Sequence, residues 1–386
     1  MRVLISGGGT GGHIYPALAV ATQLRDTYKA DILYLGSDDG LETELVPAAG
    51  FPLATVRAGK LRRYVSWQTA VGVARVPLGM AQAVSIVRKF RPDVAFTSGG
   101  YVAVPAGLAA RLNGVPLLMH QQDVPPNLSN KLIAPLTTRI SVAFSDSVRY
   151  FPAQKTLWLG NPVRQAILDV RQTIPQQART KLGFAPEVPL LLVTGASQGA
   201  RHLNQIVCQA LSDLLKDYQI LLISGSKLYD ETRELSESKL AGLDEAIKQR
   251  FHLVPYLSEE MPLALQAAEL VLCRAGASTL SELAVLGKPS ILVPLPPAIG
   301  SSPQEANADT FARKQAAEVI RDVDLKPEVL IERVSFIITS PDRLLAMASA
   351  VREFAKPDAT REIVETLIKL ANVPLVDTSK QEGIEV

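Results

Sequence analysis

Through about residue 145, short continuous apolar runs alternate with longer stretches in which apolar positions return at helical spacing. The runs predict buried strands at Arg2–Ser6, Ile32–Leu35, Val94–Thr97, Leu117–His120 and Ile140–Ala143. Strands alternating with amphipathic helices imply βαβ units and an α/β, doubly wound parallel sheet. The pattern then restarts, with strands predicted at Leu190–Thr194, Ile220–Ser224, His252–Val254, Leu270–Cys273 and Ile291–Val293. Each series opens on strand, glycine turn, helix: SGGGTGGH at 6–13 and TGASQGAR at 194–201. Two Rossmann-like domains in tandem follow, 1–160 and 161–357, with the boundary near Gly160-Asn161-Pro162. One amphipathic helix is expected over 358–371, then a polar tail over 374–386. The uncharged stretch from Val94 to Ala110 contains Gly99-Gly100 and Pro105 and reads as a buried strand–turn–helix, not a membrane span.

Charge changes the picture locally rather than globally. A net charge of +2 gives a nucleic-acid partner no support. Between Glu44 and Asp93, however, no acid occurs, while Arg57, Lys60, Arg62, Arg63, Arg75, Arg88, Lys89 and Arg91 do. Trp67, Val71, Ala74 and Leu78 fall on one helical face there, although Pro77 argues against a single unbroken helix. A basic, apolar surface of this kind suits an anionic membrane; the plainer reading is a core-facing helix with solvated cations. Cys208 and Cys273 form no CxxC pair, which reads as a reduced cytosolic protein. MRVLISGGG is too short an apolar run for a signal peptide.

Gly7, Gly9 and Gly12 fit G-x-G-x-x-G between a strand and a helix, a dinucleotide pattern. The acid expected at the end of the next strand, Asp38, comes late, and no tyrosine has a lysine four residues on, so a reductase is disfavoured. Both turns read better as anion sites, with backbone amides and helix N-termini facing the ligand and the hydroxyls of Thr10 and Ser197 adding bonds. A diphosphate would fit. His13 follows the first turn directly, where it is either a structural residue near the helix start or an acid–base group.

GGGTGGHIYPALA (7–19), SGGYVAVPAGLAA (98–110), GNPVR (160–164), GASQGARHLN (195–204) and CRAGASTLSELAVLGKP (273–289) resemble the MurG family. These are the peptidoglycan N-acetylglucosaminyltransferases of glycosyltransferase family 28. The resemblance runs from Arg2 to about Ala371. It implies a GT-B fold, two Rossmann domains facing across a cleft, with the acceptor in the first, the UDP-sugar in the second, and the last helix returning to the first. The implied reaction is an inverting transfer of N-acetylglucosamine from UDP-GlcNAc to the 4-hydroxyl of a MurNAc-pentapeptide on undecaprenyl diphosphate. It needs no cofactor and takes place at the cytoplasmic face of the membrane, where other cell-wall proteins are candidate partners.

The resemblance also assigns residues. His13 becomes catalytic or diphosphate-binding, beside Thr10, Gly11 and Gly12. Glu282 would accept from the ribose hydroxyls, although Thr279-Leu-Ser-Glu282 also spells a capping box. Ala277, Ser278, Thr279, Leu280 and Ser281 would meet the phosphates with Ser197. Arg164 would contact the nucleotide, Leu257 the uracil and Gln304 the sugar. Tyr101 and Asn130 fall on the acceptor side. The largest departure is His120-Gln121-Gln122-Asp123, where the family begins His-Glu-Gln-Asn. Asp123 is thereby a rival base to His13.

No metal site is expected: the histidines at 13, 120, 202 and 252 show no ligand spacing, and Asp322-Val-Asp324 reads as a turn and helix cap. Two alternatives share the pattern, a UDP-sugar 2-epimerase of GT-B fold and a catalytically weak scaffold paralogue.

Overall fold

The computed structural model describes residues 1–57, 67–195, 199–296 and 304–372, the side chains of 67–76 excepted. Two compact units emerge, Met1–Arg164 joined by the chain from Pro357 onward, and Gln165–Lys356. Ser197, Lys60, Arg62, Arg63 and the 374–386 tail lie outside the described residues, as do the side chains of Trp67, Val71, Ala74 and Arg75.

The first unit is built on seven parallel strands: β1 (Arg2–Ser6), β2 (Asp31–Ser37), β3 (Leu53–Val56), β4 (Val94–Thr97), β5 (Leu117–Gln121), β6 (Arg139–Val142) and β7 (Thr156–Trp158). Their order is β3-β2-β1-β4-β5-β6-β7. Strands buried on both faces must be apolar throughout, and the alternation of β1 shows why. Val3 and Ile5 join a core with α1 (Gly11–Tyr28), while Leu4 joins the opposite core with α3 (Trp67–Phe90) and α4 (Ala103–Leu112). The Ala359–Leu370 helix packs beside α1, placing Ile363, Val364, Leu367 and Ile368 in that core. Each buried side chain of this size contributes about 1.5–3 kcal/mol.

Helix α3 corrects the expectation drawn from Pro77: it continues through that residue. A proline removes one backbone hydrogen bond, and the rest of the helix is held by burial of Ala83 and Val87. Leu78, next to the proline, is exposed.

The second unit has six parallel strands: β8 (Leu190–Thr194), β9 (Gln219–Ile223), β10 (Phe251–Val254), β11 (Leu270–Cys273), β12 (Ser290–Leu292) and β13 (Glu318–Val319). They run in the order β10-β9-β8-β11-β12-β13. In each sheet the order reverses beside its first strand, between β1 and β4 and between β8 and β11. Open α/β sheets bind ligands at the strand C-termini of such reversal points. The first glycine turn leaves β1, and Gly195 follows β8, at those points.

Among the described residues no single helix is long and apolar enough to cross a membrane. The bent pair Pro327–Ile338 and Pro341–Arg352 is apolar because it covers the second sheet, burying Val334, Ile337 and Met347.

Candidate active site

In the first unit the glycine turn is clamped from several sides. Tyr34 donates its hydroxyl to the Gly7 carbonyl at 2.6 Å, and the Ser98 amide and hydroxyl bond Ser6 O and His13 O at 2.9 and 2.6 Å. Gly9 holds φ at +89°, and a Cβ there would stand 2.9 Å from the Tyr101 ring. Thr10 is the N-cap of α1, exposed, and its side chain makes no capping bond. The helix therefore presents the backbone amides of Gly11 and Gly12 at its positive end, with no acidic residue in the first turn.

His13 lies one residue further on. Its Nδ1 is 2.9 Å from the Ser98 carbonyl oxygen. A carbonyl only accepts, so in the neutral ring Nδ1 carries the proton and Nε2 keeps the lone pair. Burial pushes the imidazole pKa down, partly offset by the Asp123 charge and the Ser98 carbonyl. Neutral His13 with a basic Nε2 is thus the dominant form at neutral pH. Gln122 donates to the same carbonyl at 3.3 Å.

The 120–131 segment explains its own departure. His120 is fully buried, with ring nitrogens 3.0 Å from Ser141 Oγ and from Asn161 Oδ1, and burial brings its pKa to about 4. It is a neutral structural histidine. Gln121 donates to Asp123 O at 2.8 Å and accepts from Asn130 Nδ2 at 2.7 Å. Only an amide can do both; a carboxylate cannot donate. The residue that survives as an acid, Asp123, is half-buried and acts on His13 through its charge.

Helix α5 (Leu128–Ile133) is capped by Asn127, which accepts from the Asn130 amide at 2.8 Å. Asn130 is 1% exposed and its Oδ1 has no hydrogen-bond partner. That oxygen lies 3.4 Å from where a Gly99 Cβ would be, beside the His13 ring. Tyr101 is different. Its hydroxyl lies 2.6 Å from Ser37 Oγ and 3.3 Å from Asp39, and burial raises its pKa. It serves the glycine turn rather than offering an open hydroxyl. His13, Gln122, Asp123 and Asn130 thus form one cluster around Ser98 and Gly99.

In the second unit the helix Ala277–Leu286 starts from Gly276, extended and without a side-chain cap. The first turn carries no acid, and Ser278 and Thr279 are half-buried. Leu280 points into the core, and Ser281 donates back to Ala277 O at 2.8 Å. Only backbone amides and the Ser278 and Thr279 side chains are therefore placed to meet an anion. Glu282 sits in the second turn, so the capping-box expectation fails: the cap is Gly276, three residues too early for it.

Sequence reasoning missed two residues that shape this loop. Arg274 is buried and donates to Val293 O at 3.1 Å and to Asp322 at 2.5 Å. Asn307 donates to Ala275 O at 3.1 Å. Asp322 also bonds His202 at 3.2 Å; Asp322–Asp324 forms a turn, but the next helix begins only after Lys326, so the expected helix cap is corrected to an arginine clamp. Gln304 opens the helix Gln304–Arg313, its Oε1 accepting from Leu295 N at 2.9 Å. Leu257 follows β10 and Arg164 ends the first unit; both are half-buried. Among the described residues no three His, Cys, Asp or Glu side chains gather into a metal-binding group.

The glycosyltransferase family 28 N-terminal domain matches residues 3–142 and the family's C-terminal domain matches 190–363. The chain belongs to glycosyltransferase family 28. Within it, the kinship is to the MurG enzymes. The UDP-N-acetylglucosamine–N-acetylmuramyl-(pentapeptide) pyrophosphoryl-undecaprenol N-acetylglucosamine transferase of Caldanaerobacter subterraneus is 38% identical over 95% of this chain and 98% of its own. The enzyme of the same name from Desulforudis audaxviator is 40% identical over 96% and 99%. Among solved structures, Acinetobacter baumannii MurG superposes with TM-score 0.75 at 28% identity, covering 95% of this chain and 99% of that one. A UDP-GlcNAc 2-epimerase from Neisseria meningitidis reaches TM-score 0.67 at 16% identity, which shows the shared GT-B fold alone.

Proposed function

We propose that this chain transfers N-acetylglucosamine from UDP-N-acetylglucosamine to the 4-hydroxyl of a muramoyl-pentapeptide carried on undecaprenyl diphosphate. Kinship over nearly the whole length of transferases with that name supports the reaction. The observation that carries the mechanism is the Ser98–His13 bond, which leaves Nε2 as the basic nitrogen.

His13 Nε2 takes the proton of the acceptor hydroxyl. The oxygen then attacks the anomeric carbon, the bond from that carbon to the diphosphate breaks, and UDP leaves with inversion. Asp123 keeps His13 basic, and the unpartnered Asn130 Oδ1 accepts from a sugar hydroxyl or amide of the acceptor. The amides of Gly11 and Gly12, with Thr10, hold the acceptor's diphosphate. In the second unit, the amides of Ala277–Thr279 and the Ser278, Thr279 and Ser197 hydroxyls stabilise the leaving diphosphate. Glu282 accepts from the ribose, Arg164 and Leu257 bind the nucleotide, and Gln304 reads the sugar.

A lipid-linked acceptor requires a chain that works at a membrane surface. The acid-free, basic stretch from Arg57 to Arg91 supports a peripheral position on the cytoplasmic face, where anionic lipids attract it.

The test uses purified protein, radiolabelled UDP-N-acetylglucosamine and the lipid-linked muramoyl-pentapeptide. Label entering the lipid only when both substrates are present supports the reading. Conversion of the donor to UDP-N-acetylmannosamine, or with water to N-acetylmannosamine and UDP, would favour an epimerase, and UDP binding without turnover a scaffold; either result overturns it.

A further inference from the structure

Glu42 is the one acid among the described buried polar residues of the first unit, and none of the chemistry above uses it. It opens α2 (Glu42–Ala48) and is 0% exposed. One carboxylate oxygen accepts from the Ser37 amide at 2.9 Å and the Ser37 hydroxyl at 2.7 Å; the other accepts from the Gly9 amide at 3.2 Å. All three partners donate, the arrangement an ionised carboxylate requires. Ser37 gives its single hydroxyl proton to Glu42, and its Oγ lies 2.6 Å from the Tyr101 hydroxyl, whose ring packs against Gly9. Space is kept for the carboxylate: a Cβ on Gly8 would stand 2.5 Å from its oxygen, and one on Gly40 would collide with it.

We propose that Glu42 is a positioning and specificity residue: it locks the glycine turn and reserves anion binding for Gly11 and Gly12. Two facts carry this. The Gly9 amide is occupied by Glu42, and the Gly8 amide points at the Gly99 carbonyl at 3.4 Å. Neither Gly8 nor Gly9 therefore offers its amide to an anion there. A buried negative charge behind those glycines also repels a phosphate placed on them, in surroundings where charges are poorly screened. The pyrophosphate of a dinucleotide, which lies along such a turn, is rejected. A diphosphate set one step further along, at the start of α1, keeps its donors and stands beside His13. This rests on the reading that the first unit holds the acceptor's diphosphate.

Two measurements separate the brace from that reading. With glycine amides isotopically labelled, Glu42→Gln should exchange the Gly9 amide at least tenfold faster than wild type, without any substrate present. In transfer assays the same variant should raise KM for the lipid acceptor about tenfold while KM for UDP-N-acetylglucosamine stays within about twofold. A cooperative melt confirms that the variant is folded. Glu42→Asp, which keeps the charge but is too short to reach Gly9, should give the same split and serves if the glutamine variant does not fold. Unchanged Gly9 exchange in a folded variant overturns the brace. Faster exchange with both KM values unchanged, or raised equally, overturns its role in acceptor specificity. Wild-type protein that fails to transfer sinks only the underlying functional reading, because the exchange result stands without substrate.

Discussion

The Nδ1 atom of His13 lies 2.9 Å from the carbonyl oxygen of Ser98, at the point where the order of the first sheet reverses. A backbone carbonyl here does what a carboxylate does in other acid–base pairs: it fixes the tautomer and aims Nε2. Unlike a carboxylate it adds no full negative charge, so burial leaves the imidazole below its ordinary pKa of 6.5. His13→Ala should lower kcat by about 10²–10⁴-fold with a small effect on donor KM, the usual scale for a general base. Retention of near-wild-type kcat would remove His13 from the chemistry.

Asp123 is the group whose charge raises the His13 pKa. If His13 is the base, activity rises with pH through its pKa. Asp123→Asn should therefore move the acid limb of the pH–rate profile to lower pH and reduce the plateau, because a weaker base remains. Were Asp123 itself the base, the same variant would lose the limb and nearly all activity. The pH profile of kcat, measured for both variants, decides between the two.

Gln121 makes the HQQD departure testable. It is 1% exposed and bonds both an acceptor and a donor. Gln121→Glu restores the family residue but removes the donor to Asp123 O and buries a charge. A loss of about 1–3 kcal/mol is expected at neutral pH. Burial raises the new carboxyl's pKa, so the loss should shrink as the pH falls and the group protonates. Urea melts of wild type and variant at pH 7 and pH 5 check this; a pH-independent difference would contradict the assigned bond pattern.

The central strands and the first glycine turn were legible because fully buried strands must be continuously apolar and are punctuated by glycine. The edge strands β3, β7 and β13 were not, being short and half-exposed, with no distinct period. The location of His13 was readable from its place after the turn, whereas its tautomer depends on Ser98, distant in sequence. Glu42 and Arg274 escaped for a common reason. A lone acid at a helix start or a lone arginine after a strand looks like any surface charge until burial and partners are known. Glu282 was ambiguous because the capping-box pattern says nothing of where the helix begins; the start at Ala277 removes the cap reading and no more.

His120 links acid stability to the exit of the first unit. Its folded pKa is about 4 against 6.5 for the free side chain, chiefly from burial. Between those values the unfolded chain binds the proton and the folded one does not, so stability falls as the pH drops from 6.5 to 4. One group shifted this far accounts for a loss of order 3 kcal/mol. His120→Gln should be less stable at pH 7 yet show a shallower decline over that window. An unchanged slope would mean that another group carries the acid sensitivity.

Lys288 gives the same sign in an alkaline window. Its ammonium is buried in the second unit and donates to Gln266 O at 2.7 Å and Ala268 O at 3.0 Å. Burial is the main reason its pKa falls to about 8; Glu269 raises it, while Arg179 and Arg352 lower it. The neutral amine still has two N–H groups, one for each carbonyl, so deprotonation removes the cost of a buried charge and keeps both bonds. Between pH 8 and 10.5 the unfolded lysine holds a proton that the folded one has lost, so this residue adds stability as the pH rises, up to about 3 kcal/mol. Lys288→Met leaves both carbonyls unpaired and should be less stable throughout. The deciding readout is the slope: the difference between wild type and variant in urea melts at pH 8, 9 and 10 should widen with pH. A constant difference would mean that Lys288 titrates at its ordinary value and stays charged in the folded protein.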